Sequence, residues 1–352
     1  MDRVRLTLVV NSDIYGGAEV YVEQLLRRLP ERFEATLLAT PGVPAQLREA
    51  AGDAFATFEP PRNKADVGRL AGVARALRAT RPGLVHVNMA TASNNRHVIG
   101  LCGLLRLRAV ATLHIAAPLD SAVQRAILRP TYSQLAALIA VSEETRRQLC
   151  GELGLPENVV RVVPNGVDVR PLAAPPPTGS LRIGAAGRLT SQKGLDVLIE
   201  AVRRLVAENV QVAAVVAGDG PDRAALLAAA EGLPVELRGF VADMPAFHAE
   251  LGVFCLPSRW DGLPFALLEA MMSGLPCVAS DVGDVRFALD GVGLVVPPND
   301  PVALAEALRE LAESPERRRE LGAAAHARAM ERYTVESMVA ETARVYEAAL
   351  AA

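Results

Sequence analysis

Along the first half of the chain, short apolar runs alternate with longer stretches of helical spacing. Runs at 6–10, 35–39, 84–88, 110–113, 135–141 and 159–163 have the length and composition of buried strands. Between them, stretches such as 18–29 and 67–80 place apolar residues three and four apart. Strand, helix and strand repeated in this way predict a parallel sheet covered on both faces. The pattern stops at the uncharged, proline-rich segment 171–180, which suits neither a ladder nor a helix interior. It then restarts, with strands predicted at 181–185, 211–217, 235–237, 252–256, 276–279 and 294–296 and helices at 194–207, 221–230, 265–273 and 301–313. The Ala- and Arg-rich tail from Pro315 reads as helix. The expectation is an α/β chain of two doubly wound domains, 1–170 and 181–334, joined by a linker at 171–180 and followed by a helix at 335–352. Ligands of such folds bind at the carboxyl ends of the strands, here in a deep cleft between the two domains.

Composition narrows the function. The 352 residues are 51% hydrophobic and 22% charged, which describes a globular chain. No uncharged run approaches the ~18 apolar residues of a membrane span, and the charge-free stretch 6–12 is too short for a signal-peptide core. Cys102, Cys150, Cys255 and Cys277 share no CxxC spacing and read as small hydrophobes of a reducing compartment. Residues 1–170 carry 21 basic against 16 acidic side chains, a net of +5, and the remainder carry 16 against 24, a net of −8. With aromatics at 4% and no dense basic stripe, nucleic acid is a poor partner. Only two of the 37 basic residues are lysine, Lys64 and Lys193.

Three segments carry candidate chemistry. The first strand runs into Gly16-Gly17-Ala18-Glu19, where paired glycines before a helix let backbone approach a phosphate or sugar; a tight turn explains them nearly as well. After the strand at 181–185 come Gly187 and Arg188, with Lys193 five residues later. Two cations so spaced can clamp a diphosphate, the arginine as a planar fork and the lysine as a point charge, against the alternative of a basic surface loop. The third segment holds Asp261 on a loop, free N–H groups around Phe265, Ala266 and Leu267 at a helix start, and Glu269 one turn on, where a carboxylate can accept from a vicinal diol. Both acids also read as ordinary solvated groups favouring the helix dipole. His114, at the end of an apolar strand, is equally a core histidine or a site residue; His86 reads as structural, with Asn88 the better acceptor-side candidate. The segment 96–108 either covers the sheet or offers a basic face to a membrane.

Taken together these residues resemble the retaining glycosyltransferases of the GT-B class grouped as family 4. The resemblance rests on the GGAE stretch, Leu113-His114, Pro164-Asn-Gly-Val-Asp168, GRLTSQKG at 187–194, Ala217-Gly-Asp-Gly-Pro221, Arg238-Gly-Phe-Val241 and Asp261 with Glu269. It implies an N-terminal acceptor-binding domain, a C-terminal nucleotide-sugar-binding domain and a last helix that packs back on the first domain. It further implies that Arg188 and Lys193 neutralise the departing diphosphate, that Glu269 holds the ribose, and that backbone at Arg238, Phe240 and Val241 cradles the base. Gly16, Gly17, Gly187 and the 265–267 amides would meet phosphate and sugar. His114 would sit by the transferred sugar together with Asp261, and Glu19 and Asn88 would lie on the acceptor side. No metal and no other cofactor is implied. The donor would be a nucleoside-diphosphate sugar, a UDP-sugar in preference, and the acceptor a small molecule, a glycan or a lipid-linked hydroxyl. The expected location is the cytoplasm, with the inner membrane face as a peripheral contact, and the oligomeric state stays open. Two departures stand out: Asp261 where the family usually has Glu, and Phe287 where it usually has an acid. They leave open a silent relative that binds a nucleotide sugar or a protein without turnover.

Overall fold

The computed structural model describes residues 3–63, 66–115, 121–172 and 180–351. Lys64 and most of the predicted linker lie outside the described residues. The chain divides into two compact units, residues 1–165 with 336–352, and residues 166–335.

The first unit is a seven-stranded parallel sheet built from β1 (Val4–Val10), β2 (Phe33–Ala39), β3 (Phe55–Thr57), β4 (Leu84–Thr91), β5 (Ala109–Ile115), β6 (Ala137–Ala140) and β7 (Val160–Val162). Their order is β3-β2-β1-β4-β5-β6-β7. The second is a six-stranded parallel sheet of β8 (Leu181–Ala186), β9 (Val212–Ala217), β10 (Val235–Gly239), β11 (Val253–Leu256), β12 (Cys277–Ser280) and β13 (Leu294–Val296), ordered β10-β9-β8-β11-β12-β13. Both orders reverse beside the first strand of their unit, the Rossmann-like arrangement that opens a crevice at the strands' carboxyl ends. The strands are apolar on both faces because helices cover both. Val9, Val85, Val87 and Leu113 are buried in one core, and Ile183, Ala185, Leu198, Val202 and Leu308 in the other.

Three features differ from the sequence expectation. The first unit has an additional edge strand, β3, three residues long and too short to show a period. The tail before the expected last helix, Val335–Ala351, is not continuous with it: the helix Pro315–Arg332 ends before Tyr333 and Thr334. The units part at 165/166 and 335/336, so residues 166–170 group with the second unit. The reason is a two-strand clasp. Val167 N–H donates to Tyr333 O at 2.8 Å and Val335 N–H to Val167 O at 2.9 Å. Gly166 is required there, because a Cβ would stand 2.2 Å from Thr334 O.

The last helix belongs to the first unit and is tied to its sheet by one directional chain of hydrogen bonds. Thr342 Oγ1 donates to Met338 O and Thr112 Oγ1 to the Tyr21 hydroxyl. Each hydroxyl has one hydrogen, so Tyr21 donates to Thr342 at 2.9 Å. Thr112 must then accept from His86 Nε2 at 2.9 Å, which leaves His86 Nδ1 to accept from Tyr346 at 2.5 Å. His86 is therefore a neutral linker, and burial pulls its pKa down to about 3.

Candidate active site

The predicted site residues fall into two groups, one in each unit. In the first unit, Gly16 caps the helix Gly17–Arg28 in extended backbone, and its N–H donates to Glu19 Oε2 at 3.0 Å. Glu19 is buried, and burial raises its pKa against the Ser12 hydroxyl and the first-turn amides, which lower it. Its carboxylate thus closes the start of that helix. Asn88 lies near the end of β4 and His114 near the end of β5, on adjacent strands. Asn88 Nδ2 donates to Ala18 O at 3.0 Å, so its Oδ1 accepts from His114 Nε2 at 2.8 Å. The Asn88 amide is engaged at both its nitrogen and its oxygen, and its placement fixes the histidine tautomer. Among the described residues His114 Nδ1 is left as a buried lone pair without a partner, and burial pulls the ring down to about 3, so it is neutral. The Tyr21 ring meets it edge-on at 5.1 Å. The sequence reading did not single out Asn95, buried in left-handed backbone (φ 54°), whose Nδ2 donates to Asn88 O.

In the second unit, β8 ends at the loop that carries Gly187 and Arg188. Its path is fixed by close packing: a Cβ on Gly218 would stand 1.9 Å from Gly187 O, and one on Gly220 would stand 2.4 Å from Leu189 O. Arg188 is exposed, and no carboxylate among the described residues pairs with it. Lys193 closes a short 3-10 turn, Ser191–Lys193, and its Nζ bonds Asp261 Oδ2 at 2.6 Å; Ser258 Oγ donates to the same oxygen at 3.2 Å. The pair is largely enclosed, with the lysine side chain 19% and the aspartate 9% exposed. An ammonium has three donors, so Lys193 can hold Asp261 and still offer hydrogens to an anion.

The helix Phe265–Met272 begins after Pro264 with no side chain capping it, leaving the Phe265 and Ala266 N–H groups at the same loop, whereas Leu267 N–H, expected free, donates to Pro264 O at 3.2 Å. Glu269 lies one turn in. Burial pushes its carboxyl up to about 7; Arg170 opposes that rise and Asp168 adds to it. Arg238 contributes less than a base-binding side chain would, since its guanidinium is spent on Glu236 and Glu250 at 3.0–3.2 Å. Gly239, Phe240 and Val241 remain as backbone at the end of β10, with the Phe240 ring 69% exposed. Phe287 lies under the Arg332 guanidinium, 5.5 Å from its ring centre, and the neighbouring Asp281 pairs with Arg286 at 2.5 Å. Among the described residues no cluster of three His, Cys, Asp or Glu side chains could hold a metal ion, and no helix is long and apolar enough to cross a membrane.

Two Rossmann-like units, one with a cationic loop and an uncapped helix start at the carboxyl ends of its strands, define a two-domain α/β class. The chain belongs to the GT-B glycosyltransferases of group 1 and family 4: residues 15–170 match the model described as Glycosyltransferase Family 4, and residues 180–314 that described as Glycosyl transferases group 1. It is 35% identical over 253 residues to the phosphatidyl-myo-inositol mannosyltransferase of Mycobacterium leprae, a match spanning 68% of this chain and 66% of that one. It is 28% identical to the 2-deoxystreptamine N-acetyl-D-glucosaminyltransferase of Streptomyces fradiae over 93% of this chain and 89% of the relative. The crystal structure of Anabaena HepE in complex with UDP and glucose shares the fold, with a TM-score of 0.84 and 20% identity over 98% of this chain and all of that one.

Proposed function

We propose that the protein transfers a hexose, or an N-acetylated or otherwise modified hexose, from a nucleoside-diphosphate sugar to a hydroxyl acceptor with retention of configuration. The observation that carries the reading is the Lys193–Asp261 pair on the loops after two strands of a Rossmann-like sheet, with Arg188 on the same loop as the lysine and without a carboxylate partner among the described residues. Negative charge builds on the diphosphate as the sugar leaves. Lys193, held by Asp261, and the exposed Arg188 five residues before it supply side-chain cations in the role a divalent ion would otherwise fill. Glu269 accepts from the ribose, backbone at 239–241 lies against the base, and the Phe265 and Ala266 amides meet the distal phosphate. In the first unit the Nδ1 of His114, without a partner among the described residues, is an acceptor suited to a sugar hydroxyl. Glu19 and Asn88 serve there by holding Gly16 and His114 in place.

Relatives named for transfer to phosphatidyl-myo-inositol and to 2-deoxystreptamine support a hydroxylated ring as acceptor, and a fold relative crystallised with UDP supports a UDP-sugar donor. The reading places the enzyme in the cytoplasm, able to meet a lipid-linked acceptor at the inner membrane face. The test is a thermal melt with UDP, GDP, ADP, CMP and dTDP, each with magnesium and with EDTA. One nucleoside diphosphate should raise the melting point in EDTA, since ligand at ~100 times its Kd adds ~2.7 kcal/mol. A shift that requires magnesium would overturn the metal-free clamp, and no shift with any of the five would overturn the donor class.

A further inference from the structure

Arg259 lies two residues before Asp261 on the loop that follows β11. All three guanidinium nitrogens are occupied, and every bond but one lands on the segment that bears Lys193. Nη1 donates to Ser191 O at 2.6 Å and to Asp196 Oδ1 at 2.9 Å, and Nη2 donates to Asp196 Oδ2 at 2.6 Å. Nε donates to Asn299 Oδ1 at 2.5 Å, which anchors the cluster to the loop beyond β13. The backbone repeats the link: Arg259 N–H donates to Gln192 O at 2.7 Å, and Gln192 Nε2 donates to Trp260 O at 3.0 Å. At Gly194, in left-handed backbone (φ 60°), the loops run so close that a Cβ would stand 2.1 Å from Pro257 O.

An exposed ion pair on one flexible side chain would fix little. Here Asp196 is exposed, with 54% of its side chain open, but the guanidinium is only 23% exposed and is a planar fork, bidentate on Asp196 and bonded also to Ser191 O and Asn299. It grips the turn just before Lys193 and the helix turn just after it. The Lys193 ammonium is thereby held in register with Asp261, which rides on Arg259's own loop. We propose that Arg259 is a positioning residue for transfer, acting through Lys193 by locking the Ser191–Lys193 turn to the loop that carries Asp261. The proposal rests on the reading of Lys193 as a diphosphate ligand.

The test is a double-mutant cycle on release of UDP from a UDP-sugar under single-turnover conditions, using wild type, Arg259→Ala, Lys193→Ala and the double variant. Arg259→Ala should lower the rate about 10- to 100-fold and change donor KM less than about threefold, as expected for a misplaced rather than a missing group. In the Lys193→Ala background the same change should cost less than about threefold, because the group it positions is gone. Arg259→Lys, which cannot remake the fork, should recover little. Asp196→Asn, which removes only the carboxylate, should move the rate in the same direction and serves where Arg259→Ala folds poorly. Equal losses in both backgrounds would overturn the proposal and leave the diphosphate reading standing. A wild-type rate for Lys193→Ala would overturn that reading and the proposal with it.

Discussion

Glu269→Gln sets binding and stability against each other, and both effects follow from one buried carboxyl. Burial pushes Glu269 up to about 7, with Arg170 opposing the rise and Asp168 adding to it. Ribose hydroxyls donate, so the ligand needs the ionised, acceptor-only form. If that form alone binds, apparent affinity for UDP at pH 6 should be about tenfold weaker than its limit, and at pH 8 within about 10% of it. Glutamine has one acceptor and two donors and does not titrate. The variant should bind more weakly at pH 8 and lose this dependence. Stability moves the other way. The folded-state pKa lies above the ordinary 4.5, so the ionised group costs stability above pH 7 and costs none below 4.5. The full shift corresponds to about 3 kcal/mol. Glu269→Gln should therefore melt above wild type at pH 8 and lose that margin towards pH 5. Trp260, the single tryptophan, stands next to Asp261 and reports binding by fluorescence. The ligand's own phosphate proton is common to both proteins, so the difference between their pH profiles isolates the glutamate. Parallel profiles with equal affinity at pH 8 would refute the ribose role.

Two further outcomes test the framework around the site. Gly194→Ala should lose about 2 kcal/mol or more, because it meets both a φ of 60° and the Pro257 carbonyl. Gly232→Ala, at φ 75° with open space around it, should lose about 1 kcal/mol, and equal losses in denaturant melts would refute the close approach. Acid should weaken the fold from pH 6.5 downward. Burial holds His86 and His114 at about 3 and His248 at about 4, so the unfolded chain takes up protons first. Each histidine removes about 2 kcal/mol by pH 5, and protonation of Glu269 offsets part of the sum. A urea midpoint at pH 5 equal to or above that at pH 7.5 would contradict the neutral assignments.

The strands could be read from the sequence because a parallel sheet buries both faces, so apolar runs announced β1, β4, β8 and β9 without any partner being known. β3 could not be read that way, since three residues at a sheet edge carry no period. Lys193 stood out through rarity, one of two lysines in an arginine-rich chain. For the opposite reason Arg259 could not be seen: among 35 arginines its identity carries no signal, and its meaning lies in contacts 63 and 68 positions away. Distance in the chain also hid the His86–Tyr346 bond, which spans 260 residues, and the clasp of Val167 on Tyr333 and Val335 that moves the unit boundary. The engagement of the Arg238 guanidinium by Glu236 and Glu250 was equally hidden, since charge alone does not show which acids claim it.

The two units treat charge oppositely, and the difference fits the proposed chemistry. In the second unit, the lysine keeps its counter-ion on one oxygen of Asp261 and has further donors to spare, while Arg188 has no carboxylate partner among the described residues. On the proposed reading the Lys193 charge is in place before a leaving diphosphate needs it, because Asp261 already holds the ammonium. In the first unit, the groups near the ends of β4 and β5 are uncharged. His114 is held neutral by burial, and its partner is the Asn88 amide. A carboxylate at position 88 would favour an imidazolium and place a proton on both nitrogens. With an amide there, one nitrogen is a donor by construction and the other stays a bare acceptor. A neutral acceptor can take a hydrogen bond from a sugar hydroxyl without opposing the positive charge that an oxocarbenium-like ring develops.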